Sequence, residues 1–359
     1  MTRSDTRYLA RRDLMKLTGV GAVALTAGIA APAKAQFKDP PTMTAEWDKT
    51  FPQSPNVDHE KVTFRNRYGL TLAGDLYLPK TRKGPLAALV VSGPFGAVKE
   101  QSSGLYAQTM AERGFATLAF DPSFTGESGG EPRNLASPDI NTEDFSAAVD
   151  FLGLHPSVDR ERIGMIGICG WGGMALNAAA VDKRVKAVVA VTMYDMTRVI
   201  SRGYNDSVTP EQRTQTLEQL SRQRWEDMKN GAPAYGPASL VLKGGEPQFM
   251  TDYADYYMTP RGYHPRAVNS GNAWTQTNPL SFMNMPLLTY IQEIAPRPIL
   301  LIHGEKAHSL YFSETAYAAA AEPKELMIIP GASHVDLYDR LDVIPFDRLG
   351  DFFGQALSQ

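Results

Sequence analysis

The chain has 359 residues, of which 43% are hydrophobic and 21% are charged, a balance typical of globular proteins with one or two domains. Its net charge is −3, and removal of residues 1–35, with their six basic and two acidic residues, leaves 30 basic and 37 acidic residues. This acidic balance argues against nucleic acid and anionic membrane surfaces as partners. The single cysteine, Cys169, excludes an internal disulfide and any cysteine-rich metal site.

Residues 1–35 are typical of an export signal. Arg11 and Arg12 precede a weakly apolar run rich in glycine and alanine, and residues 33–35 offer small side chains where a signal peptidase reads the chain. Paired arginines in this position resemble a twin-arginine signal, which predicts a periplasmic or secreted protein. No later run reaches the roughly 18 uninterrupted apolar residues of a membrane-spanning helix. Residues 36–56 are rich in proline and are predicted to form an extended lead-in.

Two antiparallel strands, joined by a turn at residues 66–69, are predicted to begin the folded part of the chain. Strands and helices then alternate as far as residue 193. Continuous apolar runs within this alternation predict a mainly parallel sheet with helices on both faces. Strands are predicted at residues 62–64, 70–78, 86–91, 115–120, 163–168 and 185–192, and helices at 104–113, at 142–153 with Thr142 as N-cap, and after residue 169.

The alternation stops between residues 194 and 290. That stretch is too long for a plain connection, so it is predicted to be a cap or lid inserted into the sheet, with a helix at residues 211–229. Regular elements return afterwards, with strands predicted at residues 298–302 and 326–329 and helices at 313–320 and 343–357. The core of the fold is therefore predicted to consist of residues 57–193 and 291–359.

Cys169 stands between an apolar strand and a helix made of small residues, with Gly167 two places before it and Gly170 directly after. A sharp strand-to-helix turn exposes the residue at its apex and requires small neighbours. The usual motif is G-x-S-x-G, but here Trp171 takes the fifth place and glycine follows one step later. We therefore interpret Cys169 as a nucleophile whose thiolate is stabilised by the amino end of the following helix.

A thiol nucleophile needs a base, and His334 follows the last predicted strand. Hydrolases with this turn order their catalytic residues as nucleophile, acid and histidine, which makes His334 the candidate base. The acid is ambiguous, because Ala307 stands where an aspartate would be expected. Glu305 is the favoured alternative, and Asp195, just beyond the strand at 185–192, is the other.

An oxyanion would be stabilised by two backbone N–H groups. Gly170 supplies one in this geometry, and the second is expected from the loop after the strand at 86–91. Pro94 has no N–H, so Phe95 is the preferred donor, with Gly96 as the alternative.

Four segments together resemble the α/β hydrolases, specifically the dienelactone-hydrolase-like group, over roughly residues 60–355. The segments are Gly167-Ile-Cys-Gly-Trp-Gly, Asp121-Pro with Gly126-Glu-Ser-Gly-Gly, His303-Gly-Glu, and Gly331-Ala-Ser-His334. The resemblance implies an α/β-hydrolase fold and hydrolysis of a small-molecule ester or lactone through a covalent acyl-enzyme, without metal or organic cofactor. A peptidase or acyltransferase with the same triad, and a catalytically silent binding protein, are the alternatives; the oligomeric state is left open.

Overall fold

A computed structural model describes residues 43–44 and 46–358. Within that part of the chain, eight strands form one sheet in the order β1-β2-β4-β3-β5-β6-β7-β8. The strands are β1 (Val57–Arg65), β2 (Thr71–Pro79), β3 (Leu86–Ser92), β4 (Ala116–Phe120), β5 (Val158–Ile168), β6 (Val185–Val191), β7 (Ile299–Gly304) and β8 (Lys324–Ile329). Strand β2 pairs antiparallel with β1 and β4, whereas β4, β3, β5, β6, β7 and β8 pair in parallel. The predicted α/β class with a mainly parallel sheet is confirmed.

The described part of the chain contains ten α-helices, some of which cover the two faces of the sheet. They are α1 (Ser102–Ala111), α2 (Pro138–Leu154), α3 (Gly170–Val181), α4 (Met196–Arg202), α5 (Pro210–Asn230), α6 (Gln248–Met258), α7 (Pro279–Phe282), α8 (Leu310–Ala319), α9 (Asp336–Asp339) and α10 (Phe346–Ala356). None of these helices is long and apolar enough to cross a membrane.

Alternate strand residues enter two separate hydrophobic cores, as the two-residue period of a strand requires. Val90 of β3 packs with Phe145 of α2 on one face, while Leu89 packs with Tyr106 of α1 and Phe353 of α10 on the other. All five side chains are fully buried, and burial of each large apolar side chain contributes about 1.5–3 kcal/mol. The sheet is therefore fixed from both sides, which gives the loops at its carboxyl edge a rigid base.

Helices α4 to α7 lie between β6 and β7, in the stretch that breaks the sequence alternation. Helix α5 is defined by local signals: Thr209 and Gln212 form a capping box, Pro210 starts the first turn, and Gly231 closes the last turn in the left-handed conformation. None of its residues is fully buried. It therefore lies over the domain rather than inside it.

Helix α2 corrects one predicted boundary. Thr142 is not its N-cap, because the helix begins at Pro138 with Ser137 as N-cap. Proline is well suited to the first helical position, where its missing N–H is not needed. The Thr142 hydroxyl instead donates to the Pro138 carbonyl at 2.6 Å. The predicted export signal and residues 36–42 of the lead-in lie outside the described residues.

Candidate active site

Cys169 occupies the turn between β5 and α3 with φ 56° and ψ −127°. Residues other than glycine rarely adopt this backbone conformation, which costs about 1–3 kcal/mol. Two hydrogen bonds hold it: the Cys169 N–H donates to the Val191 carbonyl and the Tyr194 N–H donates to the Cys169 carbonyl, each at 2.9 Å. The end of β6 thus fixes the strained residue in place.

Gly167 shows why the segment is rich in glycine. A Cβ atom at this position would lie 2.2 Å from the Trp171 carbonyl oxygen and 2.6 Å from the Ala175 Cβ. Any other residue would push the first turn of α3 away from β5. The close approach of strand and helix therefore requires glycine here and leaves Cys169 at the apex.

Cys169 is only 6% exposed. Burial raises its pKa, while hydrogen bonds from the Tyr338 hydroxyl and from the N–H groups of Phe95 and Gly170 act to lower it. The two backbone donors selected from the sequence therefore both lie against the sulfur. These N–H groups favour the thiolate over the thiol, because they stabilise negative charge.

His334 does not hydrogen-bond the thiol directly among the described contacts. Its Nε2 lies 2.9 Å from the Tyr338 hydroxyl, which in turn contacts Cys169. Tyr338 is fully buried and lies on α9, four residues after His334. Sequence reasoning missed this tyrosine, because His334 lies in the turn before α9 and no helical spacing links the two residues.

The other ring nitrogen of His334 meets hydroxyl groups instead of a carboxylate. Nδ1 lies 2.9 Å from Thr192 Oγ1 and 2.5 Å from Ser309 Oγ. Ser309 also lies 2.9 Å from Nε2 of His303, whose Nδ1 lies 2.7 Å from the Ser313 hydroxyl. We call His334, Ser309, His303 and Ser313 the hydroxyl–imidazole chain.

Neither predicted acid hydrogen-bonds His334 among the described residues, so the structure does not bring Glu305 or Asp195 to the candidate base. Glu305 is exposed, and its carboxylate accepts a hydrogen bond from the Gly331 N–H at 2.8 Å. Asp195 is the N-cap of α4, where it accepts from the Arg198 N–H at 3.0 Å and from the Thr197 hydroxyl. Each carboxylate satisfies a neighbouring backbone donor and is therefore held away from the imidazole.

Burial determines the protonation states of the thiol and the imidazoles in the free protein. It lowers the pKa of His334 well below the ordinary value, and the neighbouring His308 and His303 lower it further. Burial likewise lowers the pKa of His303 to about 3 and that of His308 to about 4. Since burial also raises the pKa of Cys169, the thiol and the imidazoles are neutral near pH 7.

Aromatic residues of the inserted segment lie around His334. Tyr253 on α6 and Tyr194 have ring centroids 5.5 and 5.3 Å from that of His334. Their hydroxyls lie 3.3 Å apart, and the Tyr194 hydroxyl also hydrogen-bonds His308 Nε2. The insertion therefore adds phenol groups to the carboxyl edge of the sheet, beside the candidate base.

A buried ion cluster, which the sequence analysis also missed, supports the loop that carries Phe95. The fully buried Lys99 ammonium lies 2.6 Å from Glu100, 3.0 Å from Asp121 and 2.6 Å from Glu127. Burial alone would lower the pKa of Lys99, but the surrounding carboxylates outweigh it and raise the pKa well above its usual value. The lysine therefore stays charged and joins this loop to the loops after β4.

The same three carboxylates offer oxygen atoms within 4.8 Å of one another, a spacing that suits a metal ion. The Lys99 ammonium lies at 2.6–3.0 Å from all three and takes the position of a cation. Two positive charges at one point would repel strongly. The cluster thus fits a structural ion network better than a metal centre.

Residues 69–335 match the family model described as X-Pro dipeptidyl-peptidase (S15 family). The matched region contains both Cys169 and His334. The uncharacterized protein PA2218 of Pseudomonas aeruginosa is 79% identical over 88% of this chain and 85% of its own length. The crystal structure of the hypothetical protein PA2218 has a TM-score of 0.87 at 78% identity, covering 88% of this chain and 99% of the crystallised one.

Two further relatives are less similar. The uncharacterized protein YcjY of Escherichia coli K12 is 35% identical over 78% of this chain and 93% of its own. The polyketide transferase grgF of a Penicillium species is 30% identical over 77% of this chain and 89% of its own. The crystal structure of the α/β hydrolase GrgF from Penicillium has a TM-score of 0.70 at 26% identity, covering 84% of this chain and all of the crystallised one. These similarities confirm the predicted α/β-hydrolase fold.

Proposed function

Because the chain belongs to the X-Pro dipeptidyl-peptidase (S15) family of α/β hydrolases, we propose that it cleaves a carboxylic ester or lactone through an acyl–Cys169 intermediate. The observation that carries this proposal is the position of the thiol. Cys169 sits at a strained apex against the N–H groups of Phe95 and Gly170 and is joined to His334 by Tyr338. A thiol buried only for packing requires neither the strain nor the donors.

The first step is removal of the thiol proton. If the His334 Nδ1–H donates to Ser309 or Thr192, Nε2 is free to accept. The thiol proton then passes to the Tyr338 oxygen while the Tyr338 proton passes to Nε2. The products are a thiolate and an imidazolium, and the tyrosine is neutral before and after the transfer.

The thiolate attacks the substrate carbonyl carbon, and the carbonyl oxygen becomes an oxyanion. The N–H groups of Phe95 and Gly170, which contact the sulfur in the free protein, are positioned to donate to that oxygen. Collapse expels the alcohol, which takes the proton back from His334 by way of Tyr338. Water attacks the thioester after losing a proton along the same route, and release of the acid restores the thiol.

Hydroxyl groups in place of an orienting acid have a chemical consequence. A carboxylate would stabilise the imidazolium directly, whereas Ser309 and Thr192 only hold the ring and accept its Nδ1–H. The imidazolium therefore forms less readily, and the base strength of His334 stays low. We infer a thiol that ionises mainly when substrate is bound, since the developing oxyanion and its donors then share the charge.

Two other reactions use the same residues. The name polyketide transferase, given to the relative grgF, favours transfer of the acyl group to an alcohol or amine instead of water. The family description favours a peptidase as a further candidate. Our first proposal is ester or lactone cleavage by a cysteine nucleophile in a dienelactone-hydrolase-like protein. Acyl transfer by the same residues is the second candidate.

Trapping of the acyl-enzyme tests the proposal. Purified protein is mixed with a panel of p-nitrophenyl esters and lactones, quenched in acid and analysed by mass spectrometry of the peptide that contains Cys169. We expect that peptide to gain the mass of the acyl group and expect no turnover by the Cys169→Ala variant. Turnover that survives Cys169→Ala would refute the nucleophile assignment.

The product and a second probe separate the alternatives. An ester or amide of an added alcohol or amine indicates transfer, and release of p-nitroaniline from an Ala-Pro anilide indicates a peptidase. A silent binding protein would leave every ester intact. Its Cys169 would react with iodoacetamide only after denaturation, whereas an activated thiol reacts in the folded protein.

A further inference from the structure

A cavity of about 660 Å³ lies under the inserted segment, next to the oxyanion loop. Phe95 belongs to both sites: its N–H contacts the Cys169 sulfur, and its side chain lines the cavity. Met196 lines the cavity as well, and its side chain lies 2.8 Å from the point where a Cβ of Gly170 would be. The cavity thus begins beside both proposed oxyanion donors, and its volume is in the range of pockets that enclose a small organic molecule.

The lining of the cavity is uncharged. Apolar side chains form one part of the wall, and Phe95 stacks on Trp274 with ring centroids 4.6 Å apart. Amide and hydroxyl side chains form the rest, and no lining residue is charged. The lining consists of Phe95, Met196, Ile200, Gln219, Leu220, Gln223, Gly236, Asn272, Trp274, Thr275, Gln276, Asn278 and Pro279.

One lining residue has an unpaired polar group. Thr275 is 2% exposed, and its hydroxyl has no hydrogen-bond partner within the described part of the chain. A buried hydroxyl without a partner costs about 1–3 kcal/mol. The neighbouring Asn278, in contrast, is engaged, since its Oδ1 accepts from the Ala136 N–H at 2.7 Å. The hydroxyl oxygen has almost no accessible surface, so rotation of the Thr275 side chain toward the cavity would let an oxygen atom on a bound molecule satisfy it.

From these observations we propose that the cavity binds the acyl part of the substrate, and that this part is an uncharged chain bearing a hydroxyl or carbonyl oxygen that pairs with Thr275. The inference rests on the proposed acyl–Cys169 chemistry. An acyl chain attached to the sulfur passes Phe95 and enters the cavity, where Ile200, Leu220 and Trp274 contact its carbon atoms. A carboxylate on the chain would meet no cation among the lining residues, so the cavity favours uncharged acyl groups.

Substrate series and cavity variants test this assignment. The substrates are p-nitrophenyl acetate, octanoate, the 3-, 5- and 7-oxo-octanoates, and the monoester of octanedioic acid. Leu220→Trp fills the cavity, and Met228→Trp places the same side chain at an 82% exposed position of the same helix as the matched control. We expect Leu220→Trp to lower the octanoate-to-acetate ratio of kcat/KM about tenfold, and the control to leave it as in the parent.

Thr275→Val removes the hydroxyl while retaining the shape. We expect it to lower the ratio of the best oxo-octanoate to octanoate about tenfold, the effect of losing one buried hydrogen bond of about 1.4 kcal/mol. Unchanged ratios in both variants, or a preference for the octanedioate, would overturn the cavity assignment while leaving the hydrolase proposal intact. Absence of turnover and of any acyl–Cys169 adduct with all the esters, acetate included, would instead overturn both.

Discussion

Substitution of Tyr338 by phenylalanine isolates the proposed proton path from thiol to imidazole. The change deletes one oxygen atom, which lies 2.9 Å from His334 Nε2 and contacts the Cys169 sulfur. Both partners are buried, so without the hydroxyl no bulk water takes over the transfer. Positioned proton transfer contributes about 10²–10⁴-fold to rate, and we expect Tyr338→Phe to lower kcat/KM for p-nitrophenyl acetate about 10³-fold. That loss corresponds to about 4 kcal/mol.

The assay combines ester turnover with the rate of iodoacetamide alkylation of Cys169, both followed from pH 6 to pH 10. In Tyr338→Phe the thiol loses a hydrogen bond that lowers its pKa, so its alkylation profile should move to higher pH. A purely structural defect would reduce the rate without moving the profile. The variant leaves two buried polar groups short of a partner, which costs about 1–3 kcal/mol, and a urea titration checks that it remains folded.

The reasoning would be refuted by a Tyr338→Phe protein that hydrolyses the ester and alkylates within about threefold of the parent at every pH. That result would mean that His334 accepts the thiol proton directly. His334→Ala provides the matched comparison. If Tyr338 transfers its proton to His334, the two variants should lose similar rate and the double variant should lose little more, since the two residues act as one unit.

Three further expectations follow from the site. Ser309→Ala should lower kcat about tenfold, because the base loses the nearer of its two Nδ1 partners and keeps only Thr192. Glu305→Gln should keep kcat within about twofold of the parent, and the reverse order would restore the carboxylate as the orienting group. Lys99→Met should lower the free energy of unfolding by about 3–5 kcal/mol, because the buried Asp121 carboxylate loses its ammonium partner, whereas Glu100 and Glu127 keep Lys61 and Arg266. A urea titration that shows no loss would contradict the ion network. Burial lowers the pKa of His303 to about 3 and of His308 to about 4. Both imidazoles therefore bind protons near pH 6.5 only when the protein is unfolded. From pH 7 to pH 5, the free energy of unfolding should fall by about 2 kcal/mol for each histidine. Equal denaturation midpoints at the two pH values would exclude that effect.

Much of the framework was predictable because it depends on short-range rules. The strand at residues 163–168, the cysteine and the small residues after it define a turn whose sterics allow one arrangement. Because Pro94 has no N–H, the sequence likewise indicated Phe95 as the second donor. In the structure the Phe95 N–H lies against the Cys169 sulfur. The export signal at residues 1–35 and the ester specificity stay predictions.

The contacts of His334 were not predictable in the same way. Thr192 and Ser309 are 142 and 25 residues away from it along the chain, and they meet it only because parallel strands bring their carboxyl ends to one edge. Chain order indicated a carboxylate at this position, but Glu305 caps a neighbouring loop instead. A side chain bonds the donor that the fold places nearest, and motif spacing does not encode that distance.

The sequence by itself therefore determined the fold class, the apex cysteine and the candidate base, since local sterics and strand periodicity specify them. Only the tertiary structure decided that Tyr338 stands between thiol and imidazole, that hydroxyls rather than a carboxylate contact His334 Nδ1, and that Lys99 pairs with three buried carboxylates. Hydrogen bonds and ion pairs act over about 3 Å, so their partners are set by how distant segments pack.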